Sequence, residues 1–446
     1  MEHSEAVARL RRQYETLPDQ APVRLAKRTS NLFRFREGGG ASTGLDVSEF
    51  GRVLSVDPVA RTADVQGMTT YEDLVAATLP HGLMPFVVPQ LKTITLGGAV
   101  SGLGIESASF RNGLPHESVL EMDILTGDGR VVTARADNEH ADLFNTFPNS
   151  YGTLGYALRL TIELEPVKPF VKLRHVRFDA AEPAFEALAK ACGSGEHDFV
   201  DGTVFSSDEL YLTLAEFVDE APTTSDYTGM GIYYRSIQDR ETDYLTVSDY
   251  LWRWDTDWFW CSRAIGVQHP AIRAVWPKRW RRSDTYRRIV AFDRRHRLSD
   301  RLREIRGQWP EEPVVQDVEV PVERSAEFLG FFHREIGISP VWLCPLKLRG
   351  GKTWPLYPLE PDRLYVNFGF WSSVALRPGM PQGYHNRLIE DEVAALDGHK
   401  SLYSTVHYDK EEFWKLYHGE AYAPVKSAYD PAGRLPDLYA KCTSTK

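Results

Sequence analysis

Between Val53 and about Pro166, apolar and polar positions alternate in short runs, the period expected of strands with one buried face. "ALRLTIELEP" places Leu158, Leu160, Ile162 and Leu164 on one side, and "SVLEMDILTGDGRVVTAR" reads as two strands folded over a Gly127-Asp128-Gly129 turn. One helix interrupts them. "TYEDLVAATLPHG" has Thr70 and Asp73 in capping-box spacing, Leu74, Ala77 and Thr78 along one side, and Pro80 and Gly82 as its stop. After Lys168 the pattern becomes a strand ("VKLRHVRF"), a helix ("EPAFEALAKAC") and two strands ("DGTVFSS", "LYLTLAEF"). The tail, from "NRLIEDEVAAL" to "EEFWKLYHG", reads as helix, strand, helix. The fold class expected is α+β.

With 446 residues and 42% apolar content, the chain is long enough for two or three compact units. A net charge of −10 argues against nucleic acid as the main partner, because phosphate neutralisation needs a basic face. Cys192, Cys261, Cys344 and Cys442 lie far apart, so neither a metal site nor a disulfide framework is predicted, and a reducing, cytoplasmic setting fits. The opening "MEHSEAVARLRRQYETL" lacks the apolar core of a signal peptide, and no window approaches a membrane span.

The stretch "TITLGGAVSGLGIESASFRNG", from Thr93 to Gly113, needs another explanation. A dinucleotide fold would run from G-x-G-x-x-G into a helix, but Ser107 stands at the third glycine and Asn112, Gly113 and Pro115 interrupt the helix that should follow. An extended loop whose successive amides cradle a diphosphate suits Gly97, Gly98, Gly102 and Gly104 better, with Ser101 and Ser107 as added donors. "REGGGAST" (36–43) and "NSYGTLG" (149–155) are two further islands of the same kind. Strand-end turns are the competing reading of each island taken alone.

These stretches, with "MDILTGDGRVV" and "YGTLGYALRLTIELEP", resemble the FAD-binding domain of the vanillyl-alcohol-oxidase / p-cresol-methylhydroxylase (PCMH) superfamily. Within it, "GLGIES", "VVQDVEVP", "PVWLCP" and "EEFW" look like the delta-24-sterol reductase group of flavoproteins. The resemblance implies a PCMH-type FAD-binding domain of two α/β subdomains (1–168) and an α+β cap or substrate domain (169–395). A C-terminal segment (396–446) would return to the flavin. It also implies that Thr95, Gly97, Gly98, Ser101, Gly102, Gly104, Ile105 and Ser107 hold the diphosphate through backbone amides. Arg34 would complete that wall, and Thr153, Gly155 and Ile162 would lie by the adenosine end. No histidine occurs in 29–50 or 93–113, so the FAD is expected to be non-covalent. Two departures leave the substrate open: the N-terminal membrane helix of those reductases has no counterpart here, and "GLPHES" differs from their segment.

Reduction of an isolated alkene requires a hydride from the flavin and a proton from the protein. "LYSTVHYDKEEFW" offers Tyr403 as donor with His407 beside it on the same face of an extended segment, unless both are packing residues at a sheet edge. Glu106 is a second candidate, being awkward beside a diphosphate unless it turns toward the flavin ring or forms a salt bridge. Residues 244–297 carry six of the eleven tryptophans among many arginines. This insertion reads either as a membrane-surface contact or as a cap core with paired arginines. The function expected is an FAD-dependent reductase of a carbon–carbon double bond in a lipid, either a methylene-branched or unsaturated acyl chain or a sterol side chain, with NADPH as electron source. A flavin oxidase or dehydrogenase of an alcohol, or a flavin-binding partner subunit without turnover, are the alternatives.

Overall fold

The computed structural model describes residues 2–18, 20–27 and 44–443. The first sheet is built from β1 (Val53–Asp57), β2 (Thr62–Gln66), β3 (Leu83–Pro85), β4 (Val119–Leu125), β5 (Val131–Ala134) and β6 (Tyr156–Pro166). Its order is β1-β2-β6-β4-β5, with β3 also pairing β6. The eleven-residue β6 is the spine, and the alternation read from its sequence buries Leu158, Leu160, Ile162 and Leu164. Helix Tyr71–Thr78 forms where its cap predicts it, with the Thr70 hydroxyl accepting the Asp73 amide and Gly82 ending the following turn at φ 68°.

The second sheet contains β7 (Phe170–Phe178), β8 (Phe199–Ser206), β9 (Glu209–Val218), β10 (Thr242–Thr246), β11 (Glu311–Pro321), β12 (Val341–Leu346), β13 (Tyr365–Ala375) and β14 (His399–Lys400). Its order is β10-β7-β9-β8-β12-β13-β11-β14, antiparallel throughout. Strand periodicity gives this sheet two different faces. Val318, Val341, Leu343, Phe368 and Phe370 pack with Phe185, Phe328 and Ile389 from the helices Ala181–Ser194, Ser325–Glu335 and Tyr384–Ala395. The intervening positions, Trp342, Cys344 and Tyr365, join a core shared with the first sheet. Asp317, Gly369 and Trp371 belong to that second face.

Residues 252–267 form a chain of tight turns between the helices Val247–Leu251 and Pro270–Val275. Trp254 is 1% exposed, and Trp252, Trp258 and Trp260 are also buried, so these four cannot lie at a lipid surface. Three charged side chains tie the turns down. Arg253 bridges Glu106 and Asp201, Asp257 accepts both terminal nitrogens of Arg273, and Asp255 accepts the Lys92 amide and the Ser283 hydroxyl. The tryptophans of these turns are core, and Arg253 and Arg273 are ions paired inside it. Trp280, at 46% exposure, does remain at the surface. Among the described residues no helix is long and apolar enough to cross a membrane.

Candidate active site

A cavity of about 690 Å3 lies between the glycine-rich stretch, the tight turns and the open face of the second sheet. Its first wall differs from the extended loop expected. Leu96–Ser101 is a short helix whose cap, Thr95, accepts the Gly98 amide at 3.2 Å. The amides of Leu96, Gly97, Ala99 and Gly102 also donate inside the fold, to Thr69, Gly67, Thr95 and Gly98 carbonyls. The phosphate nest expected from Gly97, Gly98, Gly102 and Gly104 is therefore corrected: the amides of the first three are engaged, and Leu103, Gly104 and Ile105, outside any helix or strand, also border the cavity. Glycine at 97 is needed for close approach, since a Cβ there would stand 2.7 Å from the Gly67 carbonyl oxygen.

Thr95, Gly97, Gly98, Ser101, Gly102, Gly104 and Ile105 all border the cavity. Arg34 and the 36–43 island lie outside the described residues. Ser107 does not face the cavity. Its hydroxyl meets the Tyr250 hydroxyl at 2.9 Å, and its amide donates to Glu106. Thr153 turns back to the Ser150 carbonyl, Gly155 packs on Ile124, and Ile162 is a fully buried position of β6 paired with Ala63 and Val119. Their neighbours Tyr151, Gly152, Tyr156 and Ala157 border the cavity instead.

Two catalytic expectations are likewise corrected. Glu106 points away from the cavity to Arg253 at 3.0 Å; burial raises its pKa and the Arg253 charge opposes that rise. Residues 401–409 are turns and isolated bridges rather than a strand, so the shared face of Tyr403 and His407 does not exist. His407 packs against Gly383 outside the cavity, and burial holds its ring down at about 4, hence neutral. Tyr403 does border the cavity, its hydroxyl accepting from Trp371 Nε1 at 3.2 Å.

Sequence reasoning missed most of the opposite wall. Trp258 and Phe259 both border the cavity in the left-handed region, at φ 48° and 60°. Such backbone costs about 1–3 kcal/mol per residue and persists where surrounding structure enforces it. Here the Trp258 amide bonds the Asp255 carbonyl, and Phe259 stacks between Trp254 and Trp371. Arg24, Lys27, Arg434 and Lys441 bring positive charge to the rim near Thr95 and Tyr151, with Lys27 Nζ 3.4 Å from the Thr95 hydroxyl. Asp317 also lines the site, and burial pushes its carboxyl up to about 7.

The size of the cavity, the tightly packed glycine wall, the cationic rim and the flat aromatic surface suit a flavin dinucleotide. A family profile described as "FAD binding domain" matches residues 4–135. Residues 4–135 carry this FAD-binding domain, and the chain is an FAD-dependent oxidoreductase. It is similar to the Delta(24)-sterol reductase of Mus musculus, at 26% identity over 425 residues, covering 89% of this chain and 75% of that protein. The Arabidopsis thaliana Delta(24)-sterol reductase is 25% identical over 437 residues, covering 89% and 76%. Cytokinin dehydrogenase 2 of Oryza sativa subsp. japonica is 31% identical over 189 residues, 40% of this chain and 31% of that one.

Proposed function

We propose that this flavoprotein reduces a carbon–carbon double bond in a lipid, such as a sterol side chain or an unsaturated or methylene-branched acyl chain, with NADPH as the electron source. The observation that carries the reading is that Tyr403 and Asp317 line one cavity together with the aromatic side chains of Trp258, Phe259 and Trp371. Similarity to Delta(24)-sterol reductases along most of the chain supports it. Bound FAD supplies hydride chemistry to the alkene.

The chain's own residues do the rest. Arg24, Lys27 and Lys441 offset the diphosphate charge, with Leu103 to Ile105 offering backbone amides. Trp258, Phe259 and Trp371 present an apolar surface that excludes water, and Tyr403 delivers the proton that completes the saturated bond. The overall change is balanced: the alkene gains a hydride and a proton while the nicotinamide loses a hydride.

The test is anaerobic. The bound flavin is reduced and candidate lipids are added singly; return of oxidised-flavin absorbance with an alkene, but not with its saturated counterpart, is the expected result. Bleaching of oxidised flavin by an alcohol would indicate an oxidase or dehydrogenase instead. Contact with an anionic lipid surface is a further part of the proposal, confined to the helices Ser283–His296 and Leu298–Ile305. There Phe292 and Ile305 stand exposed among arginines.

A further inference from the structure

Asp317 sits in "VVQDVEVP", a strand segment that carries Asp317 and Glu319 among valines. On β11 its neighbours Gln316 and Val318 face the helices, so Asp317 faces the cavity. Its ladder partner on β13 is Gly369, and the vacancy of a side chain there makes room for the carboxylate. A Cβ at 369 would stand 2.7 Å from Asp317 Oδ1 and 2.6 Å from the Trp371 ring. Oδ1 is buried with no hydrogen-bond partner among the described residues, an expensive arrangement for a charged carboxylate and an acceptable one for a protonated acid.

Trp371 Nε1 donates to the Tyr403 oxygen, which turns the phenolic proton away from the indole. We propose that Asp317 is the proton-holding partner of Tyr403: its carboxyl returns a proton to the Tyr403 oxygen as that oxygen gives its own to a substrate carbon. The inference rests on the alkene-reductase reading above. The substrate carbon gains the Tyr403 hydroxyl hydrogen, Tyr403 regains one from Asp317, and Asp317 is left as a carboxylate that takes a proton from water after product leaves. The second alkene carbon takes a hydride that originates in the reduced nicotinamide.

The electrostatic surroundings favour a held proton. Burial raises Asp317 to about 7, while Asn367 and Tyr403 beside it pull the other way. Glu319, two residues along the strand, is raised by burial to about 8, with the Tyr357 hydroxyl donating to it. From β14, burial keeps His399 neutral at about 4, and Lys400 is occupied by Glu390. From β13, the facing residues Asn367, Gly369 and Trp371 do not titrate. Burial raises the Tyr403 pKa well above its ordinary value, and Asp317 and Tyr151 add to the rise.

The test uses the full chain with FAD and Asp317→Asn. Infrared difference spectra of wild type minus variant, taken without substrate, are expected to show a protonated carboxyl band that disappears as pH rises through about 7. In stopped-flow reoxidation by an alkene, wild type is expected to slow above pH 7. Asp317→Asn is expected to be slower by about 100-fold, with that pH limb abolished and FAD affinity within about twofold. A variant with wild-type rate and pH limb, or a difference spectrum without the band, overturns the proposal. Should the asparagine variant not fold, Asp317→Glu decides: a displaced pH limb supports the pairing, and an unmoved one overturns it. If no alkene reoxidises wild-type flavin, the reductase reading fails, whereas the infrared titration still reports whether Asp317 holds the proton.

Discussion

Arg253 is fully buried between Glu106 at 3.0 Å and Asp201 at 2.8 Å, and it joins the end of the cavity-lining stretch to β8 and to the tight turns. Removing one member of such a set leaves an uncompensated buried charge. Arg253→Met is expected to lower stability by about 3–5 kcal/mol, read as a fall in the thermal transition, and to weaken FAD binding by loosening Gly104 and Ile105. Tyr403→Phe, by contrast, should retain FAD and slow alkene-driven reoxidation by about 100-fold or more, whereas His407→Gln should leave that rate within about twofold. Asp317 also makes stability depend on pH. The folded state keeps its proton to about 7 and the unfolded chain releases it near 4, so the folded form binds more protons between those values and stability falls as pH rises. Asp317→Asn should therefore gain stability relative to wild type across that window, measurable by denaturant titration at several pH values.

At the scale of elements, local patterns were legible wherever a segment answers to a single face. β6, the Tyr71–Thr78 helix and the β4–β5 turn formed as their periodicity and caps predict. Thr70→Ala should cost about 1 kcal/mol through the lost cap, seen as a lower melting temperature. The glycine-rich stretch reads as an extended loop suited to cradling a diphosphate, yet Leu96–Ser101 is helical because Thr95 caps it and Gly97 lets it press against Gly67. The helices Ser283–His296 and Leu298–Ile305 keep an apolar edge outward, with Ile305 at 82% exposure. Ile305→Asp with Phe292→Asp is expected to reduce binding to anionic vesicles while turnover of a detergent-dispersed substrate persists; vesicle binding equal to wild type would remove these helices from any membrane role.

At the scale of the whole molecule, the cavity is assembled from segments hundreds of residues apart. Thr95 to Ile105 form one wall, Trp258 and Phe259 a second, Asp317, Trp371 and Tyr403 a third, and Arg434 and Lys441 part of the rim. A ligand bridging these walls stabilises the folded chain by mass action. Added FAD at about 100 times its dissociation constant should contribute about 2.7 kcal/mol, visible as a raised unfolding temperature. With no histidine in 29–50 or 93–113, acid precipitation should leave the yellow colour in solution. Colour retained in the pellet would indicate a covalent link.

Amino-acid order alone determined the α+β class and the faces of strands such as β6, because each depends on neighbours a few residues apart. It also carried the acid in "VVQDVEVP" and the tyrosine in "LYSTVHYD" without indicating that they meet. Only the tertiary structure decided that Asp317 and Tyr403 line one cavity, that Glu106 belongs to Arg253 rather than to the cavity, and that four tryptophans are core. Those outcomes depend on which distant surfaces close on one another, and burial and charge pairing are settled there.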